Sequence, residues 1–255
     1  MGKHLLYIPA STEAIRYCSI FLQEKGFDIT SSPSSNATHL LLPVPSLQDS
    51  RIMANDLELQ ELLSTIPEAV TVIGGNLNTP LLSCYRQFDL LKNEAYLAQN
   101  AAITAECALR LAAQDLPIAL NEAQILILGW GRIGKCLAKL LSCSGCSISV
   151  AARKDTDLAM ISALGFYPVH YPSLLSAQQD YRIIFNTVPF EVLPEPIAQQ
   201  FPDNCKKIDL ASVPGIRGSN VLWARGLPGK MMPESSGRLI ANTIVKSLSQ
   251  EEACK

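Results

Sequence analysis

The stretch Ile125 to Leu141, ILILGWGRIGKCLAKLL, constrains the fold more than any other part of the chain. An unbroken apolar run passes through Gly129, Gly131 and Gly134 into apolar residues at helical spacing. A short run of Ile and Leu without polar interruption reads as a strand buried on both faces, as in parallel sheets. The glycines then mark a tight strand-to-helix turn with the spacing G-x-G-x-x-G. In that context the three have different roles. Gly129 allows the turn, Gly131 lets main-chain N–H groups approach a pyrophosphate, and Gly134 lets helix and strand pack closely. Arg132 and Ile133, in the first helical turn, belong to the same cradle. Glycines serving only the turn are the alternative reading.

The strand SISVAAR follows, ending about 20 residues past the first glycine, where NAD-binding proteins place an acid for the ribose hydroxyls. Here Arg153 and Lys154 stand in that place. A carboxylate there would repel a 2′-phosphate, whereas a guanidinium can grip it with two hydrogen bonds. NADP is therefore the expected cofactor, with NAD as the alternative through Asp155. A helix over residues 155–164, then YPVH, RIIFNTVP and KKIDLAS, continue the alternation and predict a doubly wound parallel sheet. Strand ends face the crevice in such sheets, which makes Asn186, Thr187, Val188 and Pro189 cofactor candidates. Asp209 would meet ribose or substrate, or cap the turn after its strand.

Upstream, HLLYIP, a helix over residues 11–25, FDIT, THLLLPVP, a helix over 55–65 and AVTVIGG form a second, smaller α/β pattern. The Ala-rich segment 100–114 reads as a long helix that stops before Pro117. A final helix over 234–249 is expected to fold back on the N-terminal part. The fold class is thus α/β in two domains, a small flavodoxin-like N-terminal domain and a Rossmann domain, with crossing helices. The expected limits are residues 1–98 for the small, substrate-side domain, 99–120 for the crossing helix and linker, 121–232 for the dinucleotide-binding domain and 233–255 for the C-terminal helix. No internal repeat is visible.

Composition narrows the function. With 48% hydrophobic and 17% charged residues the chain suits a compact fold, and a formal charge of −2 leaves no basic surplus for nucleic acid. No apolar run approaches the ~20 residues of a membrane helix, so no membrane partner and a cytoplasmic location are expected. Of eight cysteines only Cys143 and Cys146 are closely spaced, with no second pair, and no metal is expected. The three histidines, His4, His39 and His170, lie in or beside strands and read as structural. Trp130, inside the glycine loop, packs on the cofactor or fills an apolar contact. GLPGK, Gly226 to Lys230, reads as a loop over the cleft, with Lys230 either a carboxylate anchor or solvated.

NAAITAE, GWGRIG, VAARKDTDLA, IIFNTVP, IDLASVPG, GLPG and ANTI together resemble the A-subunit family of dipicolinate synthase, a bacterial sporulation enzyme, from about residue 88 to 245. The resemblance implies a flavodoxin-like domain joined to a Rossmann domain. It also implies a smaller flavoprotein partner, the B subunit, with which the dihydrodipicolinate precursor of the lysine pathway is converted to dipicolinate. TAE, Thr104 to Glu106, resembles the crossing-helix segment of related two-domain dehydrogenases, which faces the nicotinamide, with Glu106 as acid or base, as the group that orients one, or as a solvated helical residue. The chain departs from the family in a shorter N-terminal part, in a shorter passage between DLAS and GLPG, and in Arg225 where a proline is expected. The resulting expectation is an NADP-linked oxidoreductase subunit for a small dicarboxylate, with Glu106, Thr104 and Asp209 as catalytic candidates and homo-oligomerisation compatible with it. A stand-alone 2-hydroxyacid-type dehydrogenase and a non-catalytic nucleotide-binding sensor or scaffold are the alternatives. The first of these lacks the late, Glu-paired histidine that such enzymes use.

Overall fold

In the computed structural model, which describes residues 4–48, 50–55, 57–175 and 180–253, the chain divides into two units, Met1–Asn100 with Pro228–Lys255, and Ala101–Leu227. The first unit opens with β1 (Leu5–Tyr7), α1 (Glu13–Glu24), β2 (Asp28–Thr30) and β3 (His39–Leu41). A two-residue-per-strand hairpin, β4 (Leu47–Gln48) and β5 (Arg51–Ile52), precedes α2 (Leu59–Leu63), β6 (Thr71–Gly74) and β7 (Arg86–Asp89). Its parallel sheet runs β2-β1-β3-β6-β7, the flavodoxin-like order. Leu40, Leu42, Leu59, Leu62, Val72 and Leu77 fill the core on one side of this sheet.

α3 (Glu94–Ala113) begins in the first unit and ends in the second. Asn93 starts it: its side-chain oxygen accepts from the Tyr96 N–H at 2.9 Å. Ala101, Ala105, Ala108 and Ala112 form a fully or nearly buried stripe along one face. The last turn is closed by Lys206, whose ammonium donates to the Leu111 and Gln114 carbonyls, a cation where the helix dipole favours one.

The second unit then alternates β8 (Gln124–Leu128), α4 (Arg132–Ser142), β9 (Ser147–Ala152), α5 (Asp155–Ala163), β10 (Tyr167–His170), β11 (Ile183–Asn186), α6 (Glu195–Ala198), β12 (Lys206–Asp209) and β13 (Val221–Trp223). All its strands are parallel, in the order β10-β9-β8-β11-β12-β13, which is the Rossmann order. The order reverses between β8 and β11, so a crevice opens at their C-terminal ends. α7 (Leu227–Met231) occupies the segment expected as a loop, and α8 (Pro233–Ala253) packs on α1. Gly237 makes that packing possible, since a Cβ there would run into the Ala14 carbonyl and the Cys18 N–H.

The rim of the crevice hangs on two buried polar side chains. Asn186 and Asp209 are register partners at the ends of β11 and β12, and neither is exposed to solvent. The Asn186 amide donates to Asp209 Oδ1 at 2.9 Å and to the Val188 carbonyl at 3.0 Å, while its oxygen accepts from the Val188 N–H at 3.0 Å. Asp209 also accepts from the main-chain N–H groups of Ala211, Gly215 and Ile216, at 3.1, 2.7 and 2.9 Å. Gly215 fits because a Cβ would meet Asn186 Nδ2 and the Phe190 carbonyl, each at 2.5 Å.

His4 and His39 belong to the first unit and His170 to the second. His39 is buried beside His4 in the first unit, where burial, with His4 and Arg86 nearby, pushes its imidazole down to about 4. His170 is exposed at the end of β10. Among the described residues no helix is long and apolar enough to cross a membrane.

Replacing Asp209 by Asn turns one acceptor oxygen into a donor facing either the two N–H groups of Gly215 and Ile216 or those of Ala211 and Asn186. The expected loss is about 2–4 kcal/mol of unfolding free energy, measured by urea denaturation, with both rim loops loosened in hydrogen exchange.

Candidate functional site

The three glycines divide their work in a way that separates folding from binding. Gly129 sits at φ +103, its N–H donating to the Ala151 carbonyl at 3.0 Å, and a Cβ would meet Thr187 Oγ1 at 2.6 Å. At Gly134 a Cβ would overlap the Gly129 carbonyl, so α4 can start this close to β8 only with glycine. At Gly131 a Cβ would meet nothing within 4 Å, and the backbone there, at φ −81, is open to any residue. The protein itself has no use for a glycine at that point. Gly131 is the N-cap of α4 and offers no side chain to the first-turn N–H groups. Open space beside unsatisfied helix N–H groups is the environment that a pyrophosphate needs, and the residues present therefore fit a dinucleotide.

A cleft of about 270 Å³ lies against this loop, lined by Gly129, Trp130, Gly131, the segment 152–154, Asp157, Tyr171 and the segment 187–190. Thr187 is held by its hydroxyl, which donates to the Leu128 carbonyl at 2.9 Å, and this fixes the path of Val188 and Pro189 along the floor. Arg153 and Lys154 leave the end of β9 at the far end of the cleft, both exposed. The Arg153 guanidinium lies 4.7 Å from the centre of the Phe190 ring, a cation–π contact that holds its head at the rim.

Asn186, expected at the cofactor, is instead wholly buried and outside the cleft lining; its amide is consumed in holding Val188 and Asp209. Asp209 is corrected from a catalytic candidate to an anchor, because four donors occupy its two oxygens and leave no lone pair for proton transfer. Thr104 and Glu106 do not come together. Two positions apart on a continuous helix they are turned by roughly 200°; Thr104 is buried, while Glu106 is exposed and pairs with Arg110 at 2.9 Å. That bridge has the form of an ordinary surface i,i+4 pair. Arg132 and Ile133 are the first two residues of α4 and are not among the residues that line the cleft.

Phe190, Asp157 and Tyr171 line the cleft outside the sequence-based expectation. Phe190 directly follows NTVP, and Asp157 lies in the first turn of α5. Tyr171 comes one residue after β10, a place where strand direction alone points towards the crevice. Its hydroxyl is shut off from solvent with no hydrogen-bond partner among the described residues, and burial, opposed by nearby Arg153, pushes the phenol up to about 12. A buried donor without an acceptor in a cleft beside a guanidinium suits an anionic or hydroxyl-bearing ligand.

No family model matches the chain. The A subunit of dipicolinate synthase from Bacillus subtilis is 26% identical over 245 residues, which is 89% of this chain and 82% of that protein. The crystal structure of the corresponding A subunit from Bacillus halodurans superposes with a TM-score of 0.84 at 24% identity, covering 97% of this chain and 98% of the other. An L-alanine dehydrogenase superposes with a TM-score of 0.69 at 10% identity, covering 96% and 88%. Over most of its length the chain is similar, in sequence and in fold, to the A subunit of dipicolinate synthase.

Proposed function

We propose that the chain is an NADP-linked oxidoreductase subunit that handles a small dicarboxylate, as its likeness to the A subunit of dipicolinate synthase suggests, and works with a flavoprotein partner. The observation that carries the cofactor reading is Gly131, a glycine that packing and backbone angles leave unexplained and a pyrophosphate explains. Gly131 and the first turn of α4 would hold the pyrophosphate, Thr187 to Pro189 would support the nicotinamide half, and Arg153, Lys154 and the Tyr171 hydroxyl would meet the 2′-phosphate. When bound, an oxidised nicotinamide accepts a hydride; the chain's own residues place it and keep water from one side.

Asp157 favours a second reading. It is a carboxylate in the cleft lining near the two cations, and it can accept from ribose hydroxyls as in NAD-binding proteins. The two readings differ in which dinucleotide loses affinity when Arg153 is removed. Arg153→Ala is expected to cost NADPH roughly 1–3 kcal/mol and leave NADH nearly unchanged, as measured by fluorescence titration. Equal loss for both, or a loss confined to NADH, assigns the site to NAD.

Gly131→Val tests the cradle itself. Because a Cβ at this position meets nothing within 4 Å, the fold should be unaffected by circular dichroism and melting temperature while binding of either dinucleotide falls at least a hundredfold. Undiminished binding reduces the motif to a turn.

The site is compatible with the partner as well. With Asp209 committed to its rim and Glu106 paired with Arg110, neither acid expected from the sequence stands unengaged for proton transfer. The chain alone should therefore bind NADPH yet turn over the dihydrodipicolinate precursor slowly, and a flavoprotein of the B-subunit type should raise dipicolinate formation, followed by its ultraviolet absorbance. Full activity from the single chain points to a stand-alone dehydrogenase; none from the pair points to a sensor.

A further inference from the structure

β8, β9 and β10 follow one another in one direction across their sheet, so right-handed crossovers put α4 and α5 on the same face. Between these helices lies a second hollow, of about 480 Å³. Trp130 and Phe166 form its inner wall, their rings edge to face with centres 6.0 Å apart. Met160 and Leu164 stand on the α5 side, 53% and 57% exposed, which leaves two large apolar side chains beside the aromatic wall with nothing covering them. Lys135 and Lys139, one turn apart on α4, supply the polar edge, with the Lys135 ammonium 5.8 Å from the centre of the Trp130 ring. Among the described residues no carboxylate lines the hollow.

We propose that this groove is a second ligand site, for a small amphipathic anion: an apolar, preferably flat body carrying one carboxylate or sulfonate. The size is that of a small-molecule site, the walls are apolar, and the few polar groups are cationic, which is the usual composition of such sites and sets the charge of the occupant. An independent observation points the same way. The Trp130 indole N–H is closed off from solvent and has no acceptor among the described residues, so the ring rests in a position that leaves a donor unsatisfied. A ligand acceptor arriving from the groove removes that penalty with a small ring rotation.

Trp130 also lines the dinucleotide cleft, between Gly129 and Gly131. Any shift of its ring is passed to the loop that would hold the pyrophosphate, so occupancy of the groove alters dinucleotide affinity, and dinucleotide alters the affinity of the groove by the same factor. This coupling rests on the dinucleotide reading; the existence of the groove site does not.

The probe for the test is anilinonaphthalene sulfonate, titrated against the full chain carrying Trp223→Phe, which leaves Trp130 as the sole tryptophan. Saturable one-site binding with quenching of Trp130 emission is expected. Leu164→Glu, and separately the double change Lys135→Glu with Lys139→Glu, should each weaken it at least tenfold; these positions lie at the surface, so the fold tolerates the changes. NADPH affinity should change at least threefold when the probe is saturating, reciprocally. Binding that does not saturate, or that Leu164→Glu leaves intact while NADPH displaces the probe, overturns the site. A wild-type dimer that Leu164→Glu dissociates makes the groove a protein interface and overturns it too. Groove binding with unchanged NADPH affinity overturns the coupling alone, and failure of NADPH to bind at all overturns the dinucleotide reading while the probe result still decides the groove.

Discussion

The hydrogen-bonded pair of Asn186 and Asp209 is the constraint on which the crevice of the second unit depends. Both side chains are fully buried, where an unpaired amide or carboxylate is costly, and each satisfies the other while reaching out to the main chain of the following loop. Asn186 turns the chain at Val188 so that Thr187 to Pro189 lie along the cleft; Asp209 gathers Ala211, Gly215 and Ile216. The Gly215 carbonyl in turn accepts from Val192 and Leu193, at 2.8 and 3.0 Å, tying the two loops to one another. Polar residues that sequence patterns place at the chemistry are here one layer behind it, setting the shape of the surface that a ligand meets.

Much of the second unit was legible because parallel strands buried on both faces appear as uninterrupted apolar runs, and because three glycines at fixed spacing allow few other structures. What escaped lies at edges and ends. β7, with sequence RQFD, and β13, with sequence VLW, are partly exposed edge strands that carry no clean alternation. α3 starts six residues before the segment expected as helix, because Asn93 caps it. The helix expected over 55–65 shortens to Leu59–Leu63, since Ala54 takes a positive φ of 94° and the Asn55 amide is drawn to the Pro9 carbonyl.

In the site, the same periodicities decide which side chains meet. The end of β9 puts Arg153 and Lys154 in the cleft, as strand direction dictates. Of the run NTVP, Thr187 to Pro189 lie beyond the strand and line the cleft, while Asn186, the last residue of β11, is wholly buried. The helical period likewise forbids Thr104 and Glu106 from serving one substrate, a deduction available from spacing alone. Tyr171, Phe190 and Asp157 belong to no motif that marks a ligand contact, and the order of strands in the sheet brings them to one cleft.

The first unit is assembled from both ends of the chain, while the second is a single continuous segment. Gly237 lets α8 settle against α1 at the Ala14 carbonyl, and Leu239, Ile240 and Ile244 are buried along α8. During synthesis the flavodoxin-like sheet can emerge complete and still lack one of its covering helices until α8 leaves the ribosome, whereas the Rossmann sheet can close beforehand. The order of translation therefore gives the Rossmann half a head start as a finished folding unit, and leaves the apolar flank of α1 as the surface that chaperones would have reason to hold.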